Sequence, residues 1–298
     1  MDGLVIFIKH LINSVQVGSI YALVALGYTM VYGIVKLINF AHGDFIMVGA
    51  YVSLGTIPLL LKLGLPAWFC VVFAIIVCSL LGIITERIAY KPLRGSNSLS
   101  VLITAIAVSL LLQNIFLLLF GSAAKPFPNV FNMKALQIGS IQISGATFLT
   151  IIISVIVMIV LQLFVKNTKL GKSVRAVSEN SKAATLMGIN VNHTISLTFA
   201  IGSGLAAIAS IMYCSAYPLA DPYMGSMLGL KAFVAAVLGG IGSIPGAMLG
   251  GFIIGLVESM TKAYISSQLA DAFVFGILIL VLLIKPTGIL GKNLGEKV

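Results

Sequence analysis

Charge is scarce in this sequence. Only 9% of its 298 residues are Asp, Glu, Lys or Arg, while 59% are hydrophobic; a soluble domain carries about 25% charged residues. A surface so poor in charge cannot keep a chain in water, and the mean hydropathy of +1.13 agrees. The soluble classes are excluded, and the chain reads as an integral membrane protein. Cysteine is nearly absent as well. Cys70 and Cys78 share one predicted helix about 12 Å apart, too far to bridge, and Cys214 stands alone in a later run, so no disulfide or metal framework follows. Of the three histidines, His42 has no second or third ligand at suitable spacing, which leaves the chain without a metal motif. The apolar runs do not alternate with polar residues, which excludes barrel strands and leaves helices. The first run starts after Lys9 and His10 and passes Tyr32 without a small-residue cleavage site, so it reads as a retained span.

What is present is a series of apolar runs, each near the roughly 20 residues that one helical crossing needs. Their cores are 11–35, 44–61, 67–86, 98–120, 143–165, 193–216, 227–243, 246–262 and 268–284. The fold class is therefore an all-α polytopic membrane protein of about 8–10 transmembrane or membrane-embedded helices, forming a single transmembrane domain over 1–298. The segments 227–243 and 246–262 are short and Gly-rich, and are either true spans or a broken pair. The net charge of +10 sits mostly in gaps between runs, which points to membrane orientation and away from nucleic acid. Arg87, Lys91 and Arg94 mark one loop. Lys166, Lys169, Lys172, Arg175 and Lys182 mark a longer one, and Lys285, Lys292 and Lys297 mark the tail. An even number of segments separates each pair, so all three basic groups fit the cytoplasmic side, with the amino terminus outside. The loop 121–142 is then extracytoplasmic.

Polar residues interrupt the apolar runs in a few places. The stretch LINFAHGDF, 37–45, holds Asn39, His42, Gly43 and Asp44 between two spans. One reading is a plain connection, in which Gly43 permits a tight turn and Asp44 caps a helix starting at Phe45. The other is a break lining a transport route, where Asn39, His42 and Asp44 face a pathway or gate. Ser14, Gly18, Tyr21, Ala25, Tyr28 and Tyr32 share one face of the first span. That face is either a packing seam or, through Tyr21 and Tyr28, a path lining. Gln113, Asn114 and Gln162 lie inside spans, where an amide needs a hydrogen-bond partner. Gly239, Gly240, Gly242, Gly246 and Gly250 belong to a run with overlapping Gly-x-x-x-Gly spacings, from Gly242 to Gly255, suited to close helix packing or to a hinge. Asp221, Lys231, Glu258, Lys262 and Asp271 form an ionisable group near the outer half, and charges at membrane depth pair.

Gly171-Lys172-Ser173 looks like the end of a nucleotide-binding loop, but position 166 is lysine where that motif requires its first glycine. The chain itself therefore binds no ATP, and no catalytic constellation argues for an enzyme. In the same loop, about 166–192, Ser178 or Asn180 could cap a turn, and alanine-rich spacing predicts a short helix running through Met187 and ending at Gly188. Val177, Ala184 and Met187 give it an apolar face, and Arg175, Glu179 and Lys182 a polar one. Such a helix suits a groove on a partner protein, or the lipid headgroups.

This loop resembles the coupling loop of bacterial ABC-importer permeases, in particular those for branched-chain amino acids. The likeness is carried by Arg175-Ala176, Glu179-Asn180, Ala183-Ala184 and the run from Leu186 to Asn190. It is carried also by GSIYALVALGYTMVYGIVKLINFAHGDF (18–45), KAFVAAVLGGIGSIPGAMLGG (231–251) and LLIKPTGILG (282–291). The resemblance implies a multi-pass permease of the bacterial inner membrane, paired with a second homologous permease, two cytoplasmic ABC ATPases and a periplasmic or extracytoplasmic substrate-binding protein. It implies import of leucine, isoleucine or valine. ATP and Mg would sit on the ATPases, no cofactor would be bound by this chain, and Arg175, Glu179, Asn180, Ala183, Ala184 and Gly188 would belong to the ATPase-docking element. A permease for urea, short amides or other amino acids, or a stand-alone secondary transporter, are the alternatives.

Overall fold

A computed structural model of the protein describes residues 2–36, 39–131, 134–138 and 141–291. Among these the α-helices are, in order, α1 (Asp2–Val35), α2 (His42–Lys62), α3 (Cys70–Thr85), α4 (Ser98–Phe120), α5 (Gly145–Asn167), α6 (Lys169–Glu179), α7 (Ser181–Leu186), α8 (Val191–Ala216), α9 (Met224–Gly239), α10 (Ile244–Tyr264) and α11 (Ala270–Ile284). Seven are long and apolar enough to cross a bilayer. Helices α9 and α11 are apolar but shorter, at 16 and 15 residues. Every apolar run of the sequence is thus a helix, and the all-α polytopic class stands.

Three details depart from the hydropathy reading. Helix α1 starts at Asp2 and spans 34 residues; at roughly 50 Å it exceeds a hydrocarbon core of roughly 30 Å, so part of it projects. Its first turns accordingly expose Leu4, Ile6 and Phe7. In the Gly-rich region α10 is full length, and the short member is α9 alone. Short strands also occur outside the helices: β1 (Lys125–Pro126) pairs antiparallel with β4 (Leu219–Ala220), and β2 (Leu136–Ile138) with β3 (Ile141–Ile143). The Phe127 N–H donates to the Pro218 carbonyl at 3.0 Å, which ties the α4–α5 loop to the linker before α9.

Helix α1 is the central element, buried from Ile20 to Leu26 and packed against α5, α8, α9 and α10. Lipid tails offer no hydrophobic drive for this packing, so close backbone approach and dispersion must supply it. The glycines of α10 divide that work between two faces. A Cβ on Gly255 would lie 2.3 Å from Gly18 Cα, and one on Gly251 2.5 Å from Ala22 Cα, so this pair seats α10 on α1. A Cβ on Gly250 would lie 1.9 Å from the Ala235 carbonyl oxygen, and one on Gly246 2.4 Å from that of Gly239, so the other pair seats α10 on α9. Gly240 and Gly242 have φ of 104° and 93° and form the turn between the two helices. Gly242 faces open space and is a turn residue, which corrects its reading as helix packing. On the sequence-predicted face of α1, Ser14, Gly18, Tyr21, Ala25 and Tyr28 are all buried, and Tyr32 is half-buried.

Two contacts tie basic segments to neighbouring helix ends. Arg94 donates to the Asn192 side chain at 2.5 Å, joining the 87–94 segment to the start of α8. The N–H groups of Ile289 and Leu290 donate to Leu238 and Gly239 carbonyls, each at 2.9 Å, and fasten the tail to the end of α9. Lys292 and Lys297 lie outside the described residues.

Candidate functional site

The break between α1 and α2 is inside the bundle. Helix α1 ends where Lys36 turns left-handed, at φ 53°, its N–H donating to the Tyr32 carbonyl at 2.8 Å. Leu37 and Ile38 of the stretch lie outside the described residues. The imidazole of His42 abuts Gly27, and Gly27 meets Gly202 in the middle of α8. The break is therefore level with the interior of a spanning helix. Asn39, His42 and Asp44 are each at most 3% exposed.

The capping reading of Asp44 and the turn reading of Gly43 are both corrected. Helix α2 begins at His42, with Ala41 before it and no side-chain cap, so Asp44 falls in the first turn and reaches sideways to α4. There Gln113 Nε2 donates to Asp44 Oδ1 at 2.8 Å, with Ser109 Oγ and Ser226 Oγ at 3.2 and 3.1 Å from the same nitrogen. Gly43 is helical and lacks a side chain because α9 presses on it: a Cβ there would lie 2.4 Å from the Gly225 carbonyl oxygen. The polar residues of the break also go separate ways. His42 packs edge-on against Tyr28, with ring centroids 4.6 Å apart, and its Nε2 has no hydrogen-bond partner. Asn39 accepts from Tyr90 Oη at 2.6 Å. Of the sequence-predicted pathway residues, Tyr28 and Asp44 share a cavity. It has a volume of about 210 Å³, opens between α4 and α9, and is lined also by Phe40, Ser109, Leu230 and Phe233.

Tyr21 belongs to a second place. It donates to Glu258, whose Oε1 accepts from Lys231 at 2.9 Å and Lys262 at 2.5 Å; Lys231 also meets Asp271 at 2.6 Å. A cavity of about 170 Å³ lies beside this network, walled by Tyr213 and Tyr217. Four of the five ionisable residues of the group Asp221, Lys231, Glu258, Lys262 and Asp271 thus pair. Asp221 does not join them and instead accepts from the Tyr223 N–H at 2.9 Å. Of Gln113, Asn114 and Gln162, Gln113 alone bonds to other helices. Asn114 bonds back to the Leu110 carbonyl of its own helix at 2.7 Å, and Gln162 is exposed.

Sequence reasoning missed Ser109, Ser226 and Glu86. Glu86 is fully buried and accepts from Arg94 and, at 2.5 Å, from Ser196. A π-turn over Glu86–Tyr90 directs both of its end residues inward. The available signal was a lone acid ahead of the basic residues 87–94.

The loop between α5 and α8 is two helices where one was expected. Thr168 caps α6 through the Gly171 N–H, and Asn180 ends α6 and caps α7 through the Ala183 N–H, each at 3.0 Å. Gly188, at φ 80°, stops α7, and Asn190 caps α8. Val177 and Ala184 are buried as expected, but Met187 is not: it and Leu186 are 82% and 88% exposed. The rotation introduced at Asn180 carries them outward. Arg175 donates to the Lys166 carbonyl at 3.0 Å, while Glu179, Asn180, Ala183 and Gly188 stand on the surface.

A profile of the family described as "Branched-chain amino acid transport system / permease component" matches residues 10–283. The chain belongs to this family of ABC-importer permeases. It is 45% identical over 302 aligned positions to the high-affinity branched-chain amino acid transport system permease protein LivH of Salmonella typhimurium, covering 98% of each chain. It is equally similar, 45% over 301 positions and 98% of each chain, to the permease BraD of Pseudomonas aeruginosa. A probable LivH of Methanocaldococcus jannaschii is 31% identical over 92% of this chain and 90% of its own. With these relatives and seven helices long and apolar enough to span among the described residues, the chain is a multi-pass membrane permease of an ABC transporter, a setting that includes partner subunits.

Proposed function

We propose that this chain is the transmembrane subunit of an ATP-driven importer of leucine, isoleucine and valine in a bacterial inner membrane. The observation that carries the coupling part is the α6–α7 pair. It is a capped, solvent-facing projection between two spanning helices, and it presents two large apolar side chains, Leu186 and Met187, to water. Exposed apolar groups on a short helix suit a protein groove. Glu179, Asn180, Ala183 and Gly188 surround that tip and, with Arg175, form the docking element for two cytoplasmic ABC ATPases. A second homologous permease completes the pathway, and an extracytoplasmic binding protein delivers substrate. ATP and Mg act on the ATPases, and this chain performs no covalent chemistry.

The mechanism follows from what is rigid and what is discontinuous. The α1–α10–α9 seam, closed at Gly18, Gly246, Gly250 and Gly255, moves as one body, because packed glycine contacts leave no room to slide. The left-handed turn at Lys36, where α1 ends, is the natural joint. ATPase closure pulls α6 and α7, which contact α1, α5 and α8, and biases a two-state opening of the pathway beside Tyr28 and Asp44. The test is reconstitution with the partner subunits in vesicles. ATP-dependent leucine accumulation is expected, with loss of both uptake and ATPase co-purification in Glu179→Lys and Gly188→Trp. Normal uptake and co-purification in both variants would overturn the docking assignment. Uptake by this chain alone without ATP would establish a secondary transporter instead.

A further inference from the structure

Three carboxylates are buried among the described residues: Asp44, Glu86 and Glu258. Glu86 has Arg94, and Glu258 has Lys231 and Lys262. Asp44 meets no cationic side chain among the described residues, only the Gln113 amide and nearby hydroxyls. A carboxylate taken out of water without a counter-charge is costly, and proteins keep such groups where a cation visits. Asp44 also lines a cavity of about 210 Å³. The walls of that cavity have two characters. Phe40, Ile106, Leu110, Leu230 and Phe233 are apolar, while Tyr28, Ser109 and Ser226 bring hydroxyls to the same space as the carboxylate.

We propose that Asp44 is the amino-recognising residue of a substrate waystation in this cavity, pairing with the ammonium group of the amino acid while the aromatic and aliphatic walls take its side chain. The proposal rests on the importer reading above and adds a named site to it. A dedicated metal ion fits less well: among the described residues no three His, Cys, Asp or Glu side chains converge, and hard cations take six or more oxygen ligands. The hydroxyls of Tyr28, Ser109 and Ser226 are the donors available to the substrate carboxylate. The site opposes one buried charge with one mobile charge, so it holds substrate weakly enough to release it.

The test uses the assembled transporter in vesicles, both nucleotide-free and ATP-trapped. Ile106, a half-exposed wall residue of the cavity, is replaced as Ile106→Cys, and its alkylation rate reports occupancy. Leucine and isoamylamine, which is leucine without its carboxylate, are expected to slow alkylation severalfold. Isocaproate, which is leucine without its ammonium group, is expected to leave the rate unchanged. Adding Asp44→Asn should weaken protection by about tenfold in concentration, the worth of one lost charge-assisted bond, and Asp44→Glu should keep part of it. Equal protection by isocaproate, protection unaltered by Asp44→Asn, or no protection in a transporter that accumulates leucine would each overturn the proposal. Asp44-dependent protection by a different amine, in a transporter that does not accumulate leucine, would uphold the ammonium site and overturn the branched-chain reading.

Discussion

Asp44 and Glu258 are carboxylates buried in the same bundle, each lining a cavity, and they differ in their counter-charges. Glu258 is enclosed by Lys231, Lys262 and Tyr21, and Lys231 is held in turn by Asp271. Every charge there has its counter-charge inside the chain, and the network ties α1, α9, α10 and α11 together. Asp44 faces its cavity with neutral donors alone and no cationic side chain among the described residues. The contrast teaches that burial alone does not mark a functional acid. An acid matched by the fold is a structural tie; an acid left for something else to match is a place where a ligand belongs.

The same chemical edit should separate the two. Glu258→Gln leaves Lys231 buried with half of its compensation, and should destabilise the protein by about 3–5 kcal/mol, read as a lowered unfolding temperature in detergent and reduced accumulation in the membrane. Lys231→Met in the same chain should recover most of that loss; no recovery would mean that the pair is not the tie described. A smaller effect, about 1–3 kcal/mol, is expected from Gly43→Ala, whose Cβ meets the Gly225 carbonyl and forces α2 away from α9. Gly276→Ala, where nothing lies within 4 Å, is its control, and equal unfolding temperatures for the two would remove the close-packing account of Gly43. Asp44→Asn should change stability least, by less than about 1 kcal/mol, because an amide oxygen can accept the Gln113 bond in place of the carboxylate. An Asp44→Asn loss as large as that of Glu258→Gln would make Asp44 a structural residue too.

The spans were legible because a bilayer demands long apolar runs, and that demand is written locally in the chain. Pairing among Lys231, Glu258, Lys262 and Asp271 was legible for a similar reason, since charges at depth have few options. The wiring of the break was not. Asp44 finds Gln113, Asn39 finds Tyr90, and Gly43 meets Gly225, all partners distant in sequence whose approach depends on helix packing. Even the local reading slipped, because α2 starts at His42 and not at Phe45, which turns a cap into a side-facing group. In the 166–192 loop Asn180 was one of two capping candidates, and its choice rotates Leu186 and Met187 outward, an outcome that helix propensity does not encode.

The most direct test of the central contrast is ATP-driven leucine uptake per folded, ATPase-bound transporter, compared between Asp44→Asn and the unaltered chain. Assembly and thermal stability should be preserved while uptake at limiting leucine falls by about tenfold, the worth of one charge-assisted bond. Uptake equal to that of the unaltered chain would contradict the account, and Asp44 would then be only a polar contact between α2 and α4.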